Sequence, residues 1–228
     1  MEKHGAVDSS SCTSGFLVRL KIAPVSIKGK YMEKSLDCTD PDFWSIRYAS
    51  GRTPWDFGGV PAALKSFLAR SPAPGRVLIP GCGAGYEIQA FHAAEFDVTA
   101  IDFSPAAFDQ AKRVLGALAN KFIVGDFFTY DFGPRRFDLI YERTFLCSMP
   151  PARWPDYANR MADLVTPGGR LIGVFLYGQP SSGGPPYPLT DEQAQELFQR
   201  NFQPVRSELM TDSLPLFRGM ERWQEWRR

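Results

Sequence analysis

The sequence predicts an α/β fold, in which a mostly parallel sheet of seven strands carries helices on both faces. Three observations support this prediction. From Arg76 onward, short apolar runs alternate with segments of helical character, an order typical of a parallel sheet covered on both sides. The chain has 228 residues, which suits one domain with a sizeable core. Its apolar content of 44% argues against global disorder.

Seven segments are predicted as strands. In chain order they read RVLIP, DVTAID, KFIVGD, RFDLIYE, RLIGVFLY, QPVRSELM and ERWQEWRR. The fifth is long and largely apolar, so we expect it to be buried. The last two follow the final predicted helix and complete the sheet.

Four helices are predicted between these strands, at Tyr86–Glu95, Pro105–Leu118, Arg153–Val165 and Thr190–Arg200. Pro105 lies in the first turn of the second helix, and Ser104 precedes it as a candidate N-cap. The third helix is expected to end before the sequence TPGG. Thr190 is the expected cap of the fourth helix, whose first turn carries two acidic residues.

Residues 1–31 are predicted to form a disordered N-terminal extension, and residues 32–228 the folded domain. The extension contains the low-complexity sequence VDSSSCTSG, and no acidic residue occurs between Ser9 and Met32. A cleaved targeting segment is the alternative, although the apolar run FLV is too short for the core of a signal peptide. Met32 opens MEKSLD much as Met1 opens MEKHGA, so Met32 is a second candidate for the start of the protein.

Charge and composition exclude several classes of function. Lys plus Arg number 26 and Asp plus Glu number 25, so the formal net charge of +1 indicates neither a nucleic-acid partner nor an acidic membrane surface. No apolar run approaches the ~20 residues that span a bilayer. The four cysteines lack CxxC spacing and only two histidines occur, so we expect no metal site and free thiols in a reducing cytoplasm. Nothing indicates a subunit interface, so a monomer is expected.

The most informative motif is the glycine-rich loop after the first strand, IPGCGAGYE. Gly81, Gly83 and Gly85 let the chain turn at positive φ and, because they lack Cβ atoms, let a ligand contact the main chain. Ligands of parallel sheets bind beyond the carboxyl ends of the strands. The loop therefore predicts a site for a nucleotide-like ligand, and a tight turn without a ligand is the alternative.

Acidic residues at the ends of the next two strands strengthen this prediction. Asp102 ends the second strand, 21 residues after Gly81, where a carboxylate can accept both ribose hydroxyls of a nucleotide. An ordinary acid before a helix is the alternative. Asp126 ends the third strand, and Phe127 and Phe128 follow it, so the three offer adenine a polar edge contact and an apolar slot. At least one of the two phenylalanines is expected to belong to the core.

Two kinds of nucleotide cofactor compete for such a loop. A dinucleotide requires GxGxxG spacing, with its pyrophosphate at the N-terminus of the helix. Here GCGAG is followed by Tyr86 and Glu87, and the Glu87 carboxylate would repel a pyrophosphate. S-adenosylmethionine has no phosphate and carries a cationic sulfonium and amine, so it tolerates this acid. The sequence favours S-adenosylmethionine, and an NAD-linked oxidoreductase is the alternative.

Six motifs spread over most of the chain form a specific combination. They read FWSIRYASGRTPWDFGG, IPGCGAGYE, AIDFSP, GDFF, FDLIYERTFLCSMPP and GGPPYPLT. From about Asp40 to the C-terminal ERW, the chain resembles the thiopurine S-methyltransferase family, and most closely its thiol and methyl halide transferase branch. The resemblance implies a class I methyltransferase (Rossmann-like) fold with S-adenosylmethionine as methyl donor. It also implies a small soft nucleophile as acceptor, with thiols or hydrosulfide first and thiocyanate, halides and thiopurines as alternatives.

The resemblance also implies roles for particular residues. The N-terminal stretch matches the family's cofactor lid, with aromatic contacts at Trp44, Tyr48 and Trp55, and Tyr48 stands where tryptophan is usual. The other cofactor contacts are expected at Gly81, Gly83, Gly85, Asp102, Phe103, Asp126, Phe127 and Glu142. The expected catalytic residues are Arg143, beside the methyl group, and Tyr187, which orients the acceptor. A loop residue held by its prolines is the alternative for Tyr187.

Methyl transfer from a sulfonium to a thiolate needs no strong base, because a free thiol with a pKa near ~8.5 loses its proton easily. The absence of an obvious Ser-His-Asp or Cys-His set agrees with this chemistry. Catalysis would then depend on positioning the reactants and excluding water. Trp44, Trp55 and Phe145 are candidate pocket walls beside Arg143 and Tyr187. Cys147, in the apolar sequence TFLCSM, is expected to pack rather than react. A non-catalytic protein that binds S-adenosylmethionine is the remaining alternative.

Overall fold

A computed structural model describes residues 37–70, 73–180 and 183–228. Seven strands form a single sheet in these ranges. They are β1 (Arg76–Pro80), β2 (Asp97–Asp102), β3 (Phe122–Val124), β4 (Phe137–Arg143), β5 (Val165–Leu176), β6 (Gln203–Leu209) and β7 (Glu221–Arg227). The predicted residues 1–31 of the N-terminal extension lie outside the described residues.

The order of the strands across the sheet is β3-β2-β1-β4-β5-β7-β6. The first four neighbouring pairs in this order are parallel, and β7 runs antiparallel to both β5 and β6. The direction of the strand order reverses at β1, which has β2 on one side and β4 on the other. Ligands of open α/β sheets bind beyond the carboxyl ends of the strands at such a reversal.

Six α-helices accompany the sheet in the described ranges. They are α1 (Pro41–Ala49), α2 (Ala62–Ala69), α3 (Tyr86–Ala93), α4 (Pro105–Leu115), α5 (Trp154–Leu164) and α6 (Asp191–Phe198). On one face, Tyr157 of α5 and Phe198 of α6 pack in a core with buried strand residues. On the other face, Phe67 of α2 and Phe91 of α3 do the same. Neighbouring residues of β1, β2, β4 and β5 contribute to opposite cores, and this confirms the predicted sheet with helices on both faces.

The predicted helix caps are present. The Ser104 hydroxyl accepts a hydrogen bond from the Ala107 N–H at 3.2 Å. The Thr190 hydroxyl accepts from the Gln193 N–H at 3.2 Å, and the Gln193 side chain accepts from the Thr190 N–H at 2.9 Å. This reciprocal pair satisfies N–H groups that the first turn of α6 leaves without intrahelical partners.

Two boundaries differ by three or more residues from those predicted. The second predicted helix ends as α4 at Leu115, and a 3₁₀ helix continues over Gly116–Lys121. TPGG is not a connection before β5 but its first part, because the C-terminus pairs with it. The Gly168 N–H donates to the Arg228 carbonyl and the Arg228 N–H to the Gly169 carbonyl, each at 3.0 Å. A partner that is distant in sequence thus extends the strand.

Two helices, α1 and α2, precede the sheet, and the sequence patterns predicted neither. Asp40 caps α1 by accepting from the Asp42 N–H at 2.9 Å. No residue of α1 is buried, so the apolar periodicity that reveals a core-facing helix is absent. Within the described ranges, no helix has the length and apolar character needed to cross a membrane.

Candidate active site

A cavity of about 480 Å³ lies beyond the carboxyl ends of β1, β2 and β4. Its base is formed by the glycine-rich loop between β1 and α3 and by the ends of the neighbouring strands. The turn after β4 and the segment 38–59 supply most of its other walls. The position is the one that the strand order predicts for a ligand. Ten of the thirteen residues predicted for the site line this cavity, and these are Trp44, Tyr48, Trp55, Gly81, Gly83, Asp102, Phe103, Asp126, Phe127 and Arg143.

The three glycines of the loop all have positive φ, at +59° for Gly81, +52° for Gly83 and +75° for Gly85. A Cβ on Gly81 would overlap the ring of Phe145, and one on Gly83 would lie 2.6 Å from the Tyr48 hydroxyl oxygen. Both glycines therefore allow aromatic side chains to reach the loop. Gly85 does not line the cavity: it is the N-cap of α3, and a Cβ there would meet Ile88 and Leu115.

The Asp102 carboxylate is held in a fixed orientation at the edge of the cavity. One oxygen accepts from the Gly83 N–H at 3.0 Å, and the other accepts from the Ser104 N–H at 2.9 Å. Burial raises the pKa of this carboxyl. The hydrogen bonds that it accepts from backbone N–H groups oppose that rise. Each oxygen retains a lone pair for a further donor, so the group is arranged to receive hydroxyls from a ligand.

Aromatic side chains line the end of the cavity near β3. Phe127 is 3% exposed and packs edge-to-face on Phe145, with their ring centroids 5.5 Å apart. Phe127 thus belongs to the core, as expected of at least one of the pair, and Phe128 lines the cavity as well. The Asp126 carboxylate accepts from the Phe128 N–H at 2.9 Å. The arrangement offers an apolar slot with one acidic edge, which suits an aromatic base.

The segment before α2 covers the cavity with an aromatic cluster. The Trp55 ring makes edge-to-face contacts with Trp44 at 5.3 Å and with Tyr48 at 5.9 Å. Asp56 attaches this segment to the domain, because its carboxylate accepts from the Gln110 side chain at 3.0 Å and from the Tyr86 hydroxyl at 3.4 Å. Asp56 could not be predicted from the sequence, because an acid in the loop sequence TPWDFGG carries no periodic signal.

A polar cluster forms the floor of the cavity beside the glycine loop. Nε of Arg143 lies 3.6 Å from a carboxylate oxygen of Glu87, and the guanidinium carbon lies 4.9 Å from the centre of the Phe57 ring. Burial raises the pKa of Glu87, and the charge of Arg143 opposes this rise. Tyr141, fully buried on the same strand face, also lines the cavity.

Glu142, predicted as a cofactor contact, does not line this cavity. Its carboxylate is 1% exposed and accepts hydrogen bonds from the N–H groups of Phe145 and Leu146, at 2.8 and 3.0 Å, and from the Tyr157 hydroxyl at 2.7 Å. Burial raises the pKa of Glu142 to about 7, although the hydrogen bonds from these three donors lower it. It holds a turn in which Thr144 has a φ of +55°, a strained value for a β-branched residue.

Tyr187 also lies outside the lining of the main cavity, at its rim. Its N–H donates to the Cys147 carbonyl at 2.7 Å, and its hydroxyl lies near the Cys38 thiol. The neighbouring Pro185 and Pro186 do line the cavity. Tyr187 is thus placed beside the cavity wall, as a residue held by a proline-rich loop.

Three buried cysteines, Cys38, Cys82 and Cys147, line the cavity as free thiols. Burial raises the pKa of each of them. Cys147 donates from Sγ to the Thr144 carbonyl at 3.4 Å and packs with Leu176 and Phe217, which agrees with the predicted packing role. Because the thiolate is the reactive form of cysteine, these side chains are poor nucleophiles.

The family model and the two relatives described next are all named as methyltransferases. Residues 39–226 match the family model described as Thiopurine S-methyltransferase. Over 193 residues the chain is 32% identical to "Probable thiol methyltransferase 2" of Arabidopsis thaliana, with 81% of this chain and 84% of that protein covered. It is 30% identical over 192 residues to "Thiocyanate methyltransferase 1" of Brassica oleracea, with the same two coverages.

Two solved structures of similar fold are methyltransferases. The 1,6-didemethyltoxoflavin-N1-methyltransferase of Burkholderia thailandensis, crystallised with S-adenosylhomocysteine, has a TM-score of 0.65 at 22% identity and covers 82% of this chain and 86% of its own. The magnesium protoporphyrin IX methyltransferase of Synechocystis, crystallised with S-adenosylmethionine, has a TM-score of 0.65 at 17% identity and covers 86% and 99%. At these identities the likeness concerns the fold.

Proposed function

Because this chain belongs to the thiopurine S-methyltransferase family and is an S-adenosylmethionine-dependent methyltransferase of class I fold, we propose that it methylates a thiol or hydrosulfide. The products would be a methyl sulfide, or methanethiol from hydrosulfide, and S-adenosylhomocysteine. One observation carries the proposal: a cavity at the reversal of the strand order combines a fixed acid, Asp102, with walls of aromatic and uncharged sulfur side chains. The relatives named for thiol and thiocyanate methylation support a soft acceptor.

The described residues fit the cofactor. When bound, S-adenosylmethionine supplies an electrophilic methyl group on a cationic sulfonium. We assign its ribose hydroxyls to Asp102 and its adenine to Phe103, Asp126 and Phe127, while Gly81 and Gly83 bring the main chain close to it. The aromatic residues of the covering segment, Trp44, Tyr48 and Trp55, face the cavity, where a ring stabilises a sulfonium by a cation–π contact of ~0.5–2 kcal/mol.

The chemistry asks little of the protein beyond positioning. The bound cofactor would supply a methyl carbon for in-line displacement, in which the acceptor sulfur would gain that carbon and the donor sulfur would keep the electron pair of the broken bond. A thiol with a pKa near ~8.5 loses its proton to solvent, so no general base is required. The aromatic walls exclude water and so keep the anion weakly solvated and reactive.

The raised pKa values of the cavity cysteines protect the enzyme from its own reaction. Cys38, Cys82 and Cys147 line the same cavity as the proposed donor, and a thiolate there would compete with the substrate. Burial raises the pKa of all three thiols, so each stays protonated at neutral pH. The soluble acceptor then carries the reactive thiolate.

Tyr187 is assigned to the acceptor rather than to the cofactor. It lies at the rim beside Cys38 and Cys147, on the side of the sheet that carries α5 and α6. From the rim its hydroxyl can hydrogen-bond a group that enters the cavity. Arg143 places a positive charge on the cavity floor.

Thiocyanate or a halide is the second candidate acceptor, and thiopurines are the third. The relative named as a thiocyanate methyltransferase favours thiocyanate or a halide over thiopurines. Thiocyanate and halides are soft nucleophiles that need no base.

We also propose that the methyltransferase domain spans residues 32–228 and that the protein acts as a cytoplasmic monomer on small molecules, without a nucleic-acid partner. The free thiols of the described cysteines support a reducing compartment.

Headspace gas chromatography tests the acceptor. The purified protein is incubated with S-adenosylmethionine and, separately, hydrosulfide, methanethiol, thiocyanate or iodide, and a thiopurine is followed by absorbance. We expect methanethiol and dimethyl sulfide to form faster than methyl thiocyanate or methyl iodide. Product from none of the acceptors, in a protein that binds S-adenosylhomocysteine, would overturn the proposal; faster methylation of thiocyanate or iodide would favour the second candidate.

A further inference from the structure

The covering segment, residues 38–59, contacts the rest of the domain at several places around the cavity. The Trp55 ring packs against the apolar cluster that contains Phe217, in the connection between β6 and β7. Tyr48 lies over the glycine loop, where its hydroxyl oxygen would be 2.6 Å from a Cβ on Gly83. A ligand bound at the loop therefore lies beneath this segment, and its exchange with solvent depends on movement of the segment.

One carboxylate attaches the covering segment to two helices. Oδ2 of Asp56 accepts from the Gln110 side chain of α4 at 3.0 Å and from the Tyr86 hydroxyl of α3 at 3.4 Å. Oδ1 accepts from the Gly58 N–H at 2.8 Å, which fixes the orientation of the carboxylate. Because α3 begins at the end of the glycine loop and α4 begins shortly after Asp102, Asp56 joins the segment to the elements that form the base of the cavity.

These contacts suit an attachment that forms and breaks repeatedly. Hydrogen bonds to a charged acceptor contribute more to stability than those between neutral groups. Asp56, Gln110 and Tyr86 are all partly exposed, so water can replace each partner when the segment moves away. Opening therefore leaves no charge buried without a partner, which would be costly.

We propose that Asp56 is a positioning residue that keeps the covering segment closed over the bound cofactor and so sets the rate at which S-adenosylhomocysteine leaves. Gln110 is its main partner, because their contact is shorter than the one with Tyr86. Gln110 does not line the cavity, so it acts on the ligand through Asp56. This role rests on the proposed placement of the cofactor in the cavity and is independent of which acceptor is methylated.

Stopped-flow measurement of tryptophan fluorescence tests this role, since Trp44 and Trp55 line the cavity. The observed rate, recorded over a range of S-adenosylhomocysteine concentrations, gives the association rate constant as its slope and the dissociation rate constant as its intercept. We expect Asp56→Ala to raise the dissociation rate constant about tenfold and Gln110→Ala about fivefold. The association rate constant should change by less than about twofold, because the contacts form after the ligand has entered.

Further variants show whether the two residues act as one unit. The double variant Asp56→Ala with Gln110→Ala should release S-adenosylhomocysteine no faster than Asp56→Ala alone, because either change breaks the same contact. Asp56→Asn keeps one oxygen acceptor, so its dissociation rate constant should lie between those of the wild type and Asp56→Ala. Asp42→Ala is the matched control: it removes an exposed acid of the same segment, outside the cavity lining, and should leave both rate constants unchanged.

The result for Gln110→Ala separates the proposed role from the alternatives. Faster release in Asp56→Ala with wild-type release in Gln110→Ala would mean that Asp56 contacts the ligand directly, and would overturn the role. Wild-type dissociation in both variants would overturn it as well. A wild type that does not bind S-adenosylhomocysteine would instead contradict the placement of the cofactor in this cavity.

Discussion

Asp102 is oriented before any ligand arrives, since two backbone N–H groups hold its carboxylate, one from the glycine loop and one from the start of α4. We expect Asp102→Ala to weaken S-adenosylmethionine binding at least roughly tenfold, because it removes a charge-assisted double hydrogen bond. It also releases the Gly83 N–H that shapes the loop. Isothermal titration calorimetry measures the dissociation constant.

Asp97→Ala is the matched control for this variant. Asp97 begins the same strand and is exposed at its opposite end, where its side chain makes a 3.7 Å contact with Lys121. It should bind the cofactor as the wild type does. Unchanged affinity in Asp102→Ala would contradict the assignment of the ribose to this residue.

Tyr187 lies beside Cys147 rather than over the glycine loop, and we have assigned it to the acceptor. We therefore expect Tyr187→Phe to lower kcat several-fold while the dissociation constant of S-adenosylmethionine stays near the wild-type value. Steady-state kinetics with the best acceptor and calorimetry with the cofactor give the two quantities. The control is Tyr130→Phe, whose ring packs on Phe132 at 4.8 Å, outside the cavity. Wild-type kinetics in Tyr187→Phe would remove this hydroxyl from the mechanism.

Strand geometry explains which residue assignments could be made from sequence. Gly81, Asp102 and Asp126 follow or end strands, and the carboxyl ends of parallel strands necessarily meet at one edge of the sheet. Glu142 and Arg143 were assigned to one contact region, but consecutive strand residues point to opposite faces. Arg143 therefore reaches the cavity while Glu142 faces α5. Gly85 likewise lies at the start of α3, outside the lining of the cavity.

At the level of elements, the turn after β4 depends on one buried carboxylate. Glu142 binds the N–H groups of Phe145 and Leu146, and this turn places Phe145 against Gly81. The arrangement couples a strand end, a strained turn at Thr144 and the glycine loop. Because burial raises the pKa of Glu142 to about 7, the ionisation of this group changes the stability of the fold near neutral pH.

The sign of this effect follows from the two pKa values. The folded-state pKa is about 7, above the ordinary 4.5, so the stabilising contribution of protonated Glu142 is fully present below about pH 4.5. That contribution is lost as the pH rises through about 7, by roughly 3 kcal/mol in total. A glutamine side chain at this position would have the same shape and no such ionisation. The melting temperature of Glu142→Gln minus that of the wild type should therefore increase from pH 5.5 to pH 8.5, as measured by differential scanning calorimetry.

Glu196→Gln provides the reference for that measurement. Glu196 is exposed on α6, so Glu196→Gln removes the same charge from the surface instead of from the interior. A flat difference for Glu142→Gln would show that this carboxylate is ionised at little cost in the folded protein.

For the whole molecule, the part of the fold that sequence predicts is the part with strong periodicity. Seven strands, both predicted caps and the two covered faces follow from apolar alternation and capping residues. The first part of β5 was misjudged because Arg228, which pairs with Gly168 and Gly169, lies at the far end of the chain. The helix α1 escaped prediction because none of its residues is buried, and its contacts come from tertiary docking such as the 3.0 Å hydrogen bond between Ser45 and Ser104. Local patterns do not carry such distant pairings.

The extent of the functional domain gives the last prediction. The family match covers residues 39–226, and the cavity lining begins at Cys38, so we propose that residues 1–31 contribute nothing to the fold or the cofactor site. A chain that begins at Met32 should keep the melting temperature of the full chain and bind S-adenosylhomocysteine with the same affinity. A chain that begins at Trp55 is the matched control: it lacks Trp44, Tyr48 and the hydrogen bond between Ser45 and Ser104, and it should lose cofactor binding. A lower melting temperature or weaker binding in the Met32 variant would place residues 1–31 within the working domain.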